Sequence, residues 1–136
     1  MWTIIKSNKK KINFLKKDIA KNLGNDFIIY NPKILVEKYK KNILIKKEFD
    51  LLGDYLFCFH KKFHNPCTIK NLKFSRGLKY FLNGFIQSQN EIENFVTKCK
   101  TAENDNGYIS SNFVQLNLNT KYKFISGTFS EKIFEV

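Results

Sequence analysis

Tyr55-Leu56-Phe57-Cys58-Phe59 is the longest uninterrupted apolar run in this chain of 136 residues, and it constrains the fold more than any other segment. In an extended strand Leu56 and Cys58 point to one side, and Tyr55, Phe57 and Phe59 to the other. A strand apolar on both sides is either covered on both, or covered on one while the other meets a partner. Five residues cannot span a bilayer as a helix, so no membrane partner is expected. The expected central strand covers 51–59.

The flanking segments are punctuated as regular elements. Residues 2–6 read as a short strand. Residues 10–23 put Ile12, Leu15, Ile19 and Leu23 on one helical face, and Gly24 follows as a stop signal. Residues 26–30 read as a second strand, ended by Asn31-Pro32. Residues 33–39 and 42–49 form the arms of a hairpin with Lys40-Lys41 near its tip. Asn65-Pro66 has the N-cap and N1 residues of a short helix reaching Leu72. Residues 77–82 suit another strand, and Ser88 suits the cap of a helix carrying Ile92, Phe95, Val96 and Cys99. The order β-α-β-hairpin-β-α-β-α predicts an α+β fold, an antiparallel β-sheet flanked by helices, close to the ferredoxin-like split-βαβ theme. Residues 101–107 read as a polar linker, and 108–136 as a short extended C-terminal tail.

Charge is distributed unevenly. The net charge is +12, and residues 1–47 alone carry 13 lysines against Asp18, Asp26 and Glu37. A genome-wide lysine bias would spread evenly, whereas this gradient marks the N-terminal third as the polyanion-facing part. Lys9, Lys10, Lys11, Lys16 and Lys17 are the candidate phosphate contacts. Of the 24 basic residues only Arg76 is arginine. Its planar fork suits a phosphate or base edge, or one local carboxylate. No signal peptide is visible, and three cysteines without a CxxC pair fit a reducing cytoplasm.

The segments Leu51-Leu52-Gly53-Asp54-Tyr55-Leu56-Phe57 and, seventeen residues on, Phe74-Ser75-Arg76-Gly77-Leu78-Lys79-Tyr80-Phe81-Leu82 carry a family likeness, as does the opening Met1-Trp2 before an apolar strand. Together they resemble the N-terminal (NGN) domain of NusG-type transcription elongation factors, with the Arg-Gly segment nearer the RfaH-like paralogues. The resemblance covers residues 1–100. It implies a non-enzymatic, monomeric antitermination factor that bridges the cleft of a bacterial-type RNA polymerase and suppresses pausing. By position, Leu52, Tyr55, Phe57 and Val96 would contact the clamp helices of the largest subunit. Ser75 and Arg76 would face non-template DNA. Thr68 and Lys70 stand where a second-largest-subunit contact is expected. Gly53-Asp54 departs from the family's Pro-Gly and brings a negative charge to the strand entry. Lys123-Phe124-Ile125-Ser126-Gly127-Thr128-Phe129 resembles the start of a KOW motif, so 108–136 is expected to be an incomplete KOW-like tail. That tail could pack on the first domain or cover the aromatic patch.

Two competing readings stay open. Cys58, His60, His64 and Cys67 fall within ten residues and could bind zinc, although the spacing is no standard finger. Without them no metal or other cofactor is expected. Alternatively the chain is a stand-alone basic nucleic-acid-binding module, or a small viral-type polymerase inhibitor. No phosphate loop, nucleophile elbow or paired carboxylates support an enzyme.

Overall fold

The computed structural model describes residues 1–109. Seven strands and three helices are present among them: β1 (Trp2–Ser7), α1 (Ile12–Leu23), β2 (Ile28–Tyr30), β3 (Lys33–Lys40), β4 (Ile43–Asp50), β5 (Tyr55–Phe59), α2 (Pro66–Leu72), β6 (Leu78–Phe81), α3 (Gln89–Ala102) and β7 (Tyr108–Ile109). The α+β class is therefore met. The strands form two sheets where the sequence suggested one: β2-β5-β1-β6 and β4-β3-β7.

The chain divides into two compact units that interleave along the sequence. Among the described residues, the first comprises 1–31 and 54–92, and the second comprises 32–53 and 93–109. The expected partition was 1–100, 101–107 and 108–136, and most of its last segment lies outside the described residues. Residues 101 and 102 finish α3. Residues 104–108 make a turn in which the Asn104 side chain accepts from the Asn106 and Tyr108 amides. Tyr108 and Ile109 then pair in parallel with β3. The KOW-like segment 123–129 lies outside the described residues, as does any role of the tail beyond residue 109.

In the first unit, all three strand pairs are antiparallel. The pairs β1/β2 and β5/β6 are thus each parallel, and each is divided by a strand of the other pair. This is the split-βαβ arrangement, made from β1-α1-β2 and β5-α2-β6. The hairpin β3-β4 is inserted between the two halves. One face of the sheet supplies Ile5, Leu56 and Cys58 to a buried cluster with Leu15, Ile19 and Leu23 of α1, and with Phe63 and Leu72. Each of these side chains is removed from water in a close-packed setting, which stabilises the unit by about 1.5–3 kcal/mol for a large aliphatic residue.

Local signals explain the helix ends. Gly24, at φ +85°, closes α1 with its N–H on the Ala20 carbonyl at 2.8 Å. Asn65 accepts from the Cys67 amide at 3.0 Å, with Pro66 at the first turn of α2. The expected strand 51–59 is shorter at its start. Leu51–Asp54 is a turn, with Gly53 at φ +64° and its N–H on the Asp50 carbonyl, so the strand begins at Tyr55.

The second unit is built on the β3-β4 hairpin, paired from Lys33↔Asp50 to Lys40↔Ile43. Its two-residue turn, Lys41-Asn42, has both φ values positive, the primed geometry that matches strand twist. Across the three strands, Glu48 accepts from Lys33 at 2.8 Å and from the Tyr108 hydroxyl at 2.8 Å. The Lys33 hydrogen bond, then that of Tyr108, holds the Glu48 carboxyl below its usual range.

Candidate nucleic-acid interface

The N-terminal lysines sit at the entrance to α1. Asn8 caps a single 3-10 turn, Lys9–Lys11, accepting from the Lys10 amide at 3.2 Å. Lys10 and Lys11 are exposed, as are Lys16, Lys17 and Lys21 on α1. The apolar side of α1 is locked into the core through Leu15, Ile19 and Leu23, so these cations are held outward on a rigid helix.

Arg76 reaches the same helix. Its backbone N–H donates to Asp18 Oδ2 at 2.7 Å, and its guanidinium donates through Nη2 to Oδ1 at 2.8 Å and through Nε to Oδ2 at 3.2 Å. The guanidinium carbon also lies 4.6 Å from the centre of the Phe14 ring. Phe14 and Asp18 are four apart on α1, one turn of the same face. Hydrogen bonding to Arg76, side chain first and backbone second, holds the Asp18 carboxyl down at about 2. The arginine is raised in turn by the same bond. Gly77 completes the corner. At φ +80°, a Cβ there would stand 2.7 Å from the Lys11 carbonyl oxygen, and the Gly77 carbonyl accepts from the Asn8 amide at 2.8 Å. The Ser-Arg-Gly segment therefore docks the loop after α2 onto the start of α1. Of the two uses foreseen for the arginine fork, this structure realises the local carboxylate. The Arg76 side chain as a whole is 56% exposed, and Phe74 near it is 90% exposed. Ser75 is half-buried.

The opposite face of the first sheet is aromatic. Trp2 packs edge-on to Phe57 at 6.3 Å, and Tyr30 stacks on Phe57 at 6.4 Å. At one end of this face the hydroxyls of Tyr55 and Tyr80 meet at 3.1 Å. The Lys6 ammonium lies 5.3 Å from one ring centre and 6.0 Å from the other. The bond to Tyr80, then burial, pushes the Tyr55 phenol up to about 12.

The four proposed polymerase anchors are not equivalent. Tyr55 is half-buried and reaches the surface, but Leu52, Phe57 and Val96 are 5%, 1% and 3% exposed. Those three are core residues in this structure, and of the four expected clamp-helix contacts Tyr55 alone reaches the surface. Within β5 the three central residues, Leu56, Phe57 and Cys58, are buried, and the two ends, Tyr55 and Phe59, are half-buried. Thr68 is half-buried and Lys70 exposed on α2.

The zinc reading is also corrected. Among the described residues no three His, Cys, Asp or Glu side chains gather into a metal-binding group. Both His60 nitrogens are committed, Nδ1 accepting from the Lys62 amide at 3.0 Å and Nε2 bonded to Asp26 at 2.9 Å. Cys58 is buried and its thiol is pushed up to about 12 by desolvation, while Cys67 is exposed on α2.

Sequence reasoning missed Asp18 and Phe14, because each acquires its role from a residue distant in the chain. No protein-family model matches the chain, and no curated protein matches it. No helix among the described residues is long and apolar enough to cross a membrane.

Proposed function

We propose that this chain is a non-enzymatic nucleic-acid-binding factor of transcription elongation, one that engages DNA through its α1 surface and a bacterial-type RNA polymerase through Tyr55. The observation that carries the reading is the basic and aromatic corner made by exposed Lys10, Lys11, Lys16 and Lys17, with Arg76 stacked on Phe14. Lysines supply phosphate affinity without sequence preference, and rings such as Phe74 give bases a stacking surface. The polymerase half rests on the resemblance over residues 1–100 and on the surface position of Tyr55 beside Tyr80. Bridging a polymerase cleft favours whichever state it binds better, which is how such a factor suppresses pausing.

A second reading, a stand-alone nucleic-acid-binding module, is favoured by the burial of Leu52, Phe57 and Val96. Capture of core RNA polymerase by the immobilised protein separates the two. The first reading expects capture that falls when Tyr55→Ala and Tyr80→Ala are combined. If polymerase is not retained while single-stranded DNA is, the second reading holds.

A further inference from the structure

The edge of the first sheet carries a site unrelated to the α1 surface. Among the described residues β6 is an edge strand, paired with β1 on one side only. The Leu82 amide donates to the Ile4 carbonyl at 2.8 Å, and the register runs Lys6↔Tyr80 and Ile5↔Phe81. In an antiparallel ladder hydrogen-bonded and non-hydrogen-bonded pairs alternate. Leu82 and Tyr80 therefore turn their main-chain groups toward β1, and Phe81 turns its N–H and C=O away from it. Asn83, two residues on, already belongs to the turn that follows the strand.

A groove of about 560 Å³ lies along this edge, between β6 and α2. Ile69 and Phe81 give it apolar lining, while Lys70, Lys73 and Lys79 line it with charge. All three lysines are exposed, and among the described residues no acidic side chain lines the groove. An unpaired strand edge beside an apolar channel is the geometry of strand addition, in which main-chain bonds give affinity and pockets take alternate side chains.

We propose that the β6–α2 groove binds an extended acidic peptide segment of a partner protein, which adds to the sheet as a further strand beside β6. The lysines select the charge. The outward N–H and C=O of Phe81 select a polypeptide over a nucleic acid, whose backbone cannot continue a β-ladder. Ile69 and Phe81 take the apolar side chains that alternate with the acidic ones along a strand.

The test uses a fluorescent, end-blocked peptide of alternating Glu and Val, followed by anisotropy with the full chain. Two further probes carry the same charge: the peptide N-methylated at alternate amides, and an oligothymidylate. The proposal expects saturable binding of the unmodified peptide and new hydrogen-exchange protection at the Phe81 amide. N-methylation removes two or so hydrogen bonds and weakens binding about tenfold or more. Lys73→Glu combined with Lys79→Glu, both exposed positions, weakens it at least as much with an unchanged circular dichroism spectrum. The proposal is overturned by equal binding of the N-methylated peptide, which would mean charge attraction alone. It is equally overturned if oligothymidylate displaces the peptide at matching concentration, if the Phe81 amide gains no protection, or if no saturable binding occurs.

Discussion

The strand pairs β1/β5 and β3/β4 are both rich in apolar residues, yet they meet water very differently. The first pairs over five positions from Trp2↔Phe59 to Lys6↔Tyr55, and Ile4, Ile5, Leu56, Phe57 and Cys58 are all sealed from solvent. The second pairs over eight, but Tyr39 is 79% and Ile43 65% exposed, and Leu44, Ile45 and Phe49 also lie open. Hydrogen-bonded pairing alone therefore does not bury a strand. The first pair lies in a sheet covered by α1 and α2, whereas the outer half of the hairpin is a ribbon whose lysines, among them Lys38, Lys40 and Lys47, alternate with apolar side chains around a concavity. Stability resides in the first region. The second leaves an apolar and cationic surface available for contact.

The contrast is tested most severely by substitution in the core. Leu56→Ala should cost about 2–5 kcal/mol by urea denaturation, through lost burial and the cavity left behind. Ile45→Ala on the hairpin should stay within about 0.5 kcal/mol of the parent, as exposed positions do. Comparable losses at the two sites would dissolve the distinction.

Next in size is the corner where Arg76-Gly77 meets α1. Gly77→Ala forces a Cβ against the Lys11 carbonyl in a backbone region that disfavours side chains. A loss of about 1–3 kcal/mol is expected in the same denaturation measurement. The hairpin turn offers a change of opposite sign. Lys41 holds φ +53° without being glycine or asparagine. Lys41→Gly should therefore raise the melting temperature, by relief of about 1 kcal/mol of left-handed strain. A fall would show that the lysine side chain is held by something other than its turn.

The smallest effect is electrostatic. Asp18 is depressed from 3.8 to about 2 by Arg76. A carboxylate with a lowered folded-state value adds stability above its unfolded value and loses it as pH falls through the folded one. The Asp18–Arg76 contribution is thus complete above about pH 4 and lost toward pH 2. Carbon-13 NMR of the Asp18 carboxyl should show a midpoint near 2. In Arg76→Ala it should return toward the ordinary carboxylate value. Because the pair is exposed, salt screens it and its share of overall stability is small.

Much of this architecture was legible in local sequence. The Asn65-Pro66 cap, the Gly24 stop, the apolar stripe of α1 and the hairpin arms are written within a few residues of where they act. What escaped was nonlocal. Nothing near residue 108 announces pairing with β3 across the chain. Arg76 and Asp18 are 58 positions apart, so the sequence left open which carboxylate the lone arginine's fork would hold. His60 finds Asp26 at a separation of 34, and that bond, invisible in the spacing of Cys58, His60, His64 and Cys67, removes the metal reading. The division into two sheets followed the same rule. Strand identity is a short-range property, but strand partnership is not.

The central claim, that the chain acts on transcription through its basic α1 surface and Tyr55, is tested most directly by single-round elongation with bacterial core RNA polymerase on a template with a defined pause. The account predicts that the protein shortens the pause, and that the effect is lost when Lys10, Lys11, Lys16 and Lys17 are replaced by glutamine and reduced in Tyr55→Ala. An unchanged or lengthened pause, at concentrations where the protein binds the template DNA, would contradict it.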